Sequence, residues 1–187
     1  MKKVCFLDFD DSFTYNIIQE LTDLKLKVEV VHWQDFEQLP QSDLLVLGPG
    51  PGHPDDYQRI FPLVQQWLDR KLPLFAICLG HQIFWRLQGE DIVQSKEPLH
   101  GQKIKLKLTP DWQQWLNLPS EVWVQRYNSL AVMGQSGLRN PYLKNLLADD
   151  EIVMTRGENI LTYQFHPESM GTSFRRSFFL PLTRELV

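Results

Sequence analysis

The chain has 187 residues, of which 43% are apolar and 22% charged; these values exclude intrinsic disorder and collagen-like or low-complexity architectures and predict one packed domain spanning residues 1–187. Nineteen basic against 23 acidic residues give a net charge of -4, with no basic cluster longer than a pair, so no nucleic-acid partner is expected. Apolar runs such as Leu44 to Leu47 and Leu74 to Ile77 fall far short of the ~20 residues that cross a bilayer, and no membrane partner is expected. Asp8 and Asp10 interrupt the first apolar run before a signal-peptide core can form, which predicts a cytoplasmic protein. The two cysteines, Cys5 and Cys78, then argue against a disulfide framework.

In chain order, Val4 to Asp8 reads as a strand, followed by a helix on which Phe13, Ile17, Leu21 and Leu24 recur at helical spacing, with Ser12 at the N-cap position. Val28 to Val31 and Leu44 to Leu47 are brief apolar runs bounded by polar residues and predict buried strands. Gly48-Pro49-Gly50-Pro51-Gly52-His53-Pro54 can be neither helix nor strand. A helix from near Ile60, a strand Leu74 to Ile77 and a helix Leu79 to Leu87 follow. This alternation predicts a parallel sheet covered on both faces. From Lys103 to Gln164 the strand candidates Ile104 to Leu108, Val122 to Val124, Leu130 to Val132, Ile152 to Thr155 and Leu161 to Phe165 have few helices between them, which predicts an antiparallel extension. A last helix is expected from about Ser173 to Leu186.

Ligands of open α/β sheets bind at the carboxyl ends of the strands, and Cys78 sits there. Ala76-Ile77-Cys78-Leu79-Gly80 has the small-x-nucleophile-x-Gly form of a strand-turn-helix elbow. A thiolate there is favoured by the helix dipole, and the next amide, that of Leu79, is placed to donate to an oxyanion. A buried cysteine at a helix start is the plain alternative for Cys78, and Cys5, mid-strand with apolar neighbours, reads as a buried packing residue. Gln164-Phe165-His166-Pro167-Glu168-Ser169 supplies a histidine and a carboxylate two residues apart on extended chain, hence on one side of it. Such a pair serves a cysteine nucleophile as base and orienting acid; a surface pair or a fragment of a metal site, shared with His53, Asp55 and Asp56, stands beside that reading. The glycine-proline loop 48–54 can bring its backbone close to a ligand or simply be a stiff turn.

Taken together, Asp11-Ser12-Phe13-Thr14-Tyr15-Asn16, Pro49-Gly50-Pro51-Gly52, Cys78-Leu79-Gly80-His81-Gln82, Arg126-Tyr127-Asn128-Ser129-Leu130 and Gln164 to Ser169 resemble the motifs of the class I, triad-type glutamine amidotransferases, in family order and over essentially the whole chain. The Asp-Ser-Phe-Thr-Tyr-Asn string resembles the small subunits of anthranilate synthase and of aminodeoxychorismate (para-aminobenzoate) synthase. The resemblance implies a flavodoxin-like α/β fold and a glutaminase half-reaction. In it Cys78 is the nucleophile, His166 the proton shuttle and Glu168 its orienting acid. Leu79 and Gly52 form the oxyanion hole, and Gly50, Pro51, Gly52, Gln82, Asn128 and Ser129 bind L-glutamine. It also implies that ammonia passes to a larger chorismate-binding synthase subunit that carries Mg2+, while this chain holds no metal or cofactor.

Some residues depart from the family pattern. Asn128 stands where His is common, His53 where a small or β-branched residue is usual, Gly89-Glu90 where Gly-Gly is usual, and Gln102 after His100-Gly101 where Lys is usual. A stand-alone cysteine amidase, and a catalytically silent amidotransferase that only docks a partner, are the alternatives.

Overall fold

The computed structural model describes residues 1–134 and 140–186. The first half alternates as predicted: β1 (Lys3–Asp8), α1 (Thr14–Asp23), β2 (Lys27–His32), β3 (Leu44–Leu47), α2 (Phe61–Asp69), β4 (Leu74–Ile77) and α3 (Leu79–Leu87). The second half holds β5 (Ile92–Gln94), β6 (Gln102–Lys107), α4 (Pro110–Leu116), β7 (Glu121–Arg126), β8 (Leu130–Val132), β9 (Lys144–Ala148), β10 (Glu151–Arg156), β11 (Ile160–Tyr163) and α5 (Arg175–Phe179). Seven strands form the central sheet in the order β2-β1-β3-β4-β11-β10-β9. Its first five members run parallel, β10 lies antiparallel to both β11 and β9, and two antiparallel pairs, β5 with β8 and β6 with β7, stand apart from it.

The period-2 geometry of a strand explains why β3 and β4, buried on both faces, read as unbroken apolar runs. In β1, Val4 and Phe6 enter the core beneath α1 and α5, whereas Cys5 and Leu7 enter the core beneath α2 and α3. β3 and β4 divide in the same way, Leu44 and Val46 against Leu45 and Leu47, and Phe75 and Ile77 against Leu74 and Ala76. The helices cover these faces with Ile17, Leu21, Phe178 and Phe179 on one side and with Val64, Trp67, Ile83 and Phe84 on the other. Cys5 is buried there, and burial pushes its thiol up to about 12.

Three local expectations are corrected. The residue at the N-cap of α1 is Phe13, which makes no side-chain cap; its own amide donates to Asp11 Oδ1 at 2.8 Å, while Ser12 is exposed. The C-terminal helix is broken: α5 ends at Phe179 and a π-type turn covers Leu182–Leu186, because Pro181 lacks the N–H that a continuous helix needs. Val28 to Val31, expected to be a buried strand, belongs to β2 at the edge of the sheet, where none of its residues is fully buried. Among the described residues no helix is long and apolar enough to cross a membrane.

Candidate active site

β4 and β11 are neighbours in the sheet, so the residues that follow them emerge side by side at its carboxyl edge. Cys78 follows β4 directly. Its backbone lies at φ 52, ψ -105, a region that costs a non-glycine residue about 1–3 kcal/mol and persists only where the surroundings enforce it. They do so here through two amides, Cys78 N–H donating to the Tyr163 carbonyl at 2.8 Å and Gly80 N–H to the Gly48 carbonyl at 3.1 Å. Gly80 is obligatory, since a Cβ there would lie 2.2 Å from the Leu47 carbonyl oxygen. The result is a strained strand-turn-helix elbow: Cys78 turns sharply onto the N-terminus of α3, whose first amides lack partners within the helix.

His166 follows β11 and is held from two directions. Its amide donates to the Gln125 carbonyl at 2.9 Å, and its carbonyl accepts from Thr172 Oγ1 at 2.7 Å. Nδ1 faces Glu168 Oε1 at 2.6 Å, and Cys78 is among the groups that raise the pKa of the ring. Phe13 and Tyr127 pack on the imidazole with centroids at 5.1 and 5.0 Å. Burial by itself drives the imidazole pKa down, but the hydrogen bonds and charges of Cys78 and Glu168 override it and hold the pKa well above the ordinary value.

The 48–54 loop closes the third side. A Cβ on Gly50 would fall 2.5 Å from Phe9 Cβ and 2.7 Å from Leu79 Cδ2, so only glycine lets the loop lie against the residue after the nucleophile. Gly52 has φ +78, and a Cβ there would meet Asp56 Oδ2 at 2.7 Å. The loop is braced by Tyr57, whose hydroxyl donates to the Pro51 carbonyl at 2.9 Å, and by His53, whose Nδ1 accepts from the Asp55 amide at 3.1 Å. His53 therefore caps the turn that begins at Pro54, and Asp55 pairs with Arg86 at 2.9 Å; neither joins His166 and Glu168 in a shared metal site.

The residues expected to bind glutamine are brought together only in part. Gln82 Nε2 donates to the Leu130 carbonyl at 3.0 Å and to Gln164 Oε1 at 3.1 Å. Asn128 reaches the same carbonyl with Nδ2 at 2.9 Å, and its Oδ1 accepts from Arg126 Nε at 2.9 Å. Both polar atoms of the Asn128 side chain are therefore engaged within the protein, whereas Ser129 is exposed. His81 is fully buried between Thr162 Oγ1 (2.7 Å) and the Ile152 carbonyl (3.1 Å). Burial lowers its pKa to about 3, and it is a neutral packing residue.

Arg126 and Glu151 form a buried ion pair that sequence reading passed over. A signal was present: Arg126 continues the inward face of β7 after Val122 and Val124, and a charge on such a face requires a buried counter-charge.

Residues 5–181 match the family described as glutamine amidotransferase class-I. The chain belongs to this family. Anthranilate synthase component 2 of Vibrio parahaemolyticus is 30% identical over 185 residues, covering 93% of this chain and 91% of that protein. Anthranilate synthase component 2 of Haemophilus influenzae is 33% identical over 181 residues, covering 92% and 91%. Among solved structures, a glutamine amidotransferase from Thermotoga maritima superposes with a TM-score of 0.72 at 16% identity, covering 98% of this chain and 83% of that one; the likeness carries the fold. In this class I glutamine amidotransferase, Cys78, His166 and Glu168 lie at the edge where two parallel strands end together.

Proposed function

We propose that this amidotransferase hydrolyses the side-chain amide of L-glutamine and passes the ammonia to a larger, chorismate-utilising synthase subunit. The observation that carries the reading is the buried His166–Glu168 contact at 2.6 Å, beside Cys78 at the end of the neighbouring strand. Cys78 attacks the carboxamide carbon as the thiolate, and the Leu79 and Gly52 amides receive the developing oxyanion. His166 gives its proton to the leaving ammonia, and Glu168 holds the ring in the orientation that makes this transfer possible. Water, deprotonated by His166, then opens the thioester and releases glutamate. Gly50, Pro51, Gly52 and Gln82 hold the glutamine together with Ser129 and the main chain at Asn128, because the Asn128 amide is already engaged. The chain itself needs no metal or cofactor for these steps; Mg2+ belongs with chorismate in the partner.

Two chorismate pathways fit such a subunit, anthranilate and aminodeoxychorismate formation. The relatives' names support the first. The test is glutamate release by the chain and its Cys78→Ser variant, alone and with each type of synthase subunit. The expected result is Cys78-dependent release that rises with one partner, and synthesis by the Cys78→Ser complex from ammonium salts but not from glutamine. Release that the partner leaves unchanged would favour a stand-alone amidase, and its absence from a folded chain a silent docking subunit.

A further inference from the structure

The six residues after Glu168 lie along the outer side of β7. The Ser173 amide donates to the Trp123 carbonyl at 2.8 Å, the Trp123 amide to Ser173 Oγ at 3.0 Å, and the Gln125 amide to Thr172 Oγ1 at 3.0 Å. Gly171 fits so closely that a Cβ on it would stand 2.1 Å from Gln125 Oε1. The segment is thus pinned, yet it presents Met170 at 84% exposure beside Trp123 at 48%. These two side chains line, with Lys103, an open hollow of about 350 Å³. Such juxtaposed exposed apolar side chains, rimmed by charge, are what binding sites for other proteins are made of.

The antiparallel register adds a charge to this face. Lys103, Lys105 and Lys107 stand opposite Gln125, Trp123 and Glu121, all on the outward side of the pair. Lys105 lies over the Trp123 ring at 5.6 Å and bonds Glu121 at 3.1 Å, so the single acid is matched. A basic strip with an apolar centre results, on a chain whose net charge is -4. The strip also reaches the chemistry, since Gln125 pairs directly with His166 and Trp123 lies two residues, about 7 Å, further along the strand.

We propose that this face, Trp123 and Met170 ringed by Lys103, Lys105 and Lys107, is where the synthase subunit docks, through an acidic segment that places an apolar side chain against Trp123. The proposal rests on the partner named above. Charge complementarity favours that occupant over a second copy of this acidic chain, and a partner seated here abuts the side of the site on which His166 releases ammonia.

The experiment pairs the purified chain with the chorismate-binding large subunit of the anthranilate synthase from the same genome. Binding is measured by titration calorimetry at two salt concentrations, with glutaminase activity measured alone and in the complex. Met170→Glu/Trp123→Ala and Lys103→Glu/Lys107→Glu are expected to weaken the complex at least tenfold, and partner stimulation with it. Glutamine turnover by the free chain should stay within twofold, and thermal melts should show both variants folded. The lysine variant should also lose most of the salt dependence, because exposed charges act over about a Debye length. Variants that bind as tightly as the unaltered chain would overturn the docking face and leave the amidotransferase reading standing. No binding or stimulation by the unaltered chain with either type of synthase subunit would overturn that reading and the face with it. A dimer of the free chain that the same variants dissolve would assign the face to self-association instead.

Discussion

Replacing Glu151 by alanine isolates a buried charge whose cost can be worked from the structure. Arg126 and Glu151 expose only 4% and 2% of their side chains, so the pair is barely screened by solvent. The carboxylate also accepts from Ser95 Oγ at 2.5 Å and from the Lys96 amide at 3.2 Å. Breaking a buried pair by removing one partner costs about 3–5 kcal/mol, since the remaining charge is uncompensated. A hollow of about 310 Å³ lined by Ser95, Lys96, Arg126 and Glu151 lets water approach the guanidinium, which points to the lower end, about 3 kcal/mol. Set against a typical domain stability of about 5–15 kcal/mol, this is visible in urea denaturation followed by circular dichroism. Arg126 Nε also holds Asn128 Oδ1, so KM for glutamine should rise by more than kcat falls. Glu151→Gln, which keeps an acceptor for Ser95 and Lys96, should cost less. A loss under about 1 kcal/mol for Glu151→Ala, with an unchanged KM, would refute the argument that this pair is electrostatically isolated and positions Asn128.

Gly80→Ala brings a methyl within 2.2 Å of the Leu47 carbonyl; because backbone cannot give way as a side chain does, stability should fall by about 1–3 kcal/mol and glutaminase turnover by more than tenfold, and normal turnover would sink the elbow account. Glu168→Gln keeps an acceptor for Nδ1 but removes a charge that helps to hold the His166 pKa up. The unaltered protein binds more protons folded than unfolded at this site, so the stabilisation is complete below the unfolded pKa of ~6.5 and is lost as pH rises through the elevated folded value; urea midpoints measured across that range should slope downward in the parent and flatten in the variant. His81 has the opposite sign: its folded pKa of about 3 lies below the unfolded one, so stability should fall as pH drops from about 6.5 towards 3. The slope contributed is roughly 1.4 kcal/mol per pH unit, and His81→Gln should remove most of it; an identical acid titration of the two proteins would contradict the buried, neutral assignment.

What could be read from the sequence follows the physics of each segment. β3 and β4 were legible to the residue because both faces are buried, giving short runs that are apolar throughout. β6 extends two residues before its predicted start, since Gln102 and Lys103 are exposed and leave no apolar mark. α4 was missed: its seven residues begin at a proline and bury only Trp112 and Leu116, too short for a helical period to show. The neighbouring Trp115 has its place because Arg156 lies 4.7 Å from the ring centroid and bonds Asp111 at 2.6 Å, contacts across some forty residues of chain that no local pattern encodes. The candidate triad was legible because an elbow and a His-Pro-Glu string are each local. The buried links from Glu151 through Arg126 to Asn128 were not, for they depend on which strands become neighbours.

The strand order also bears on when the chemistry becomes possible during synthesis. β11 is made eleventh but fills the slot between β4 and β10, at the heart of the sheet. A nascent chain therefore carries the cysteine for nearly ninety residues before the histidine emerges, and meanwhile β4 presents one unpaired edge. Closing that gap demands contacts between distant parts of the sequence, which makes it a slow step of folding. Cys78 meets His166 only when the sheet is complete, so a stalled or truncated product keeps the two apart.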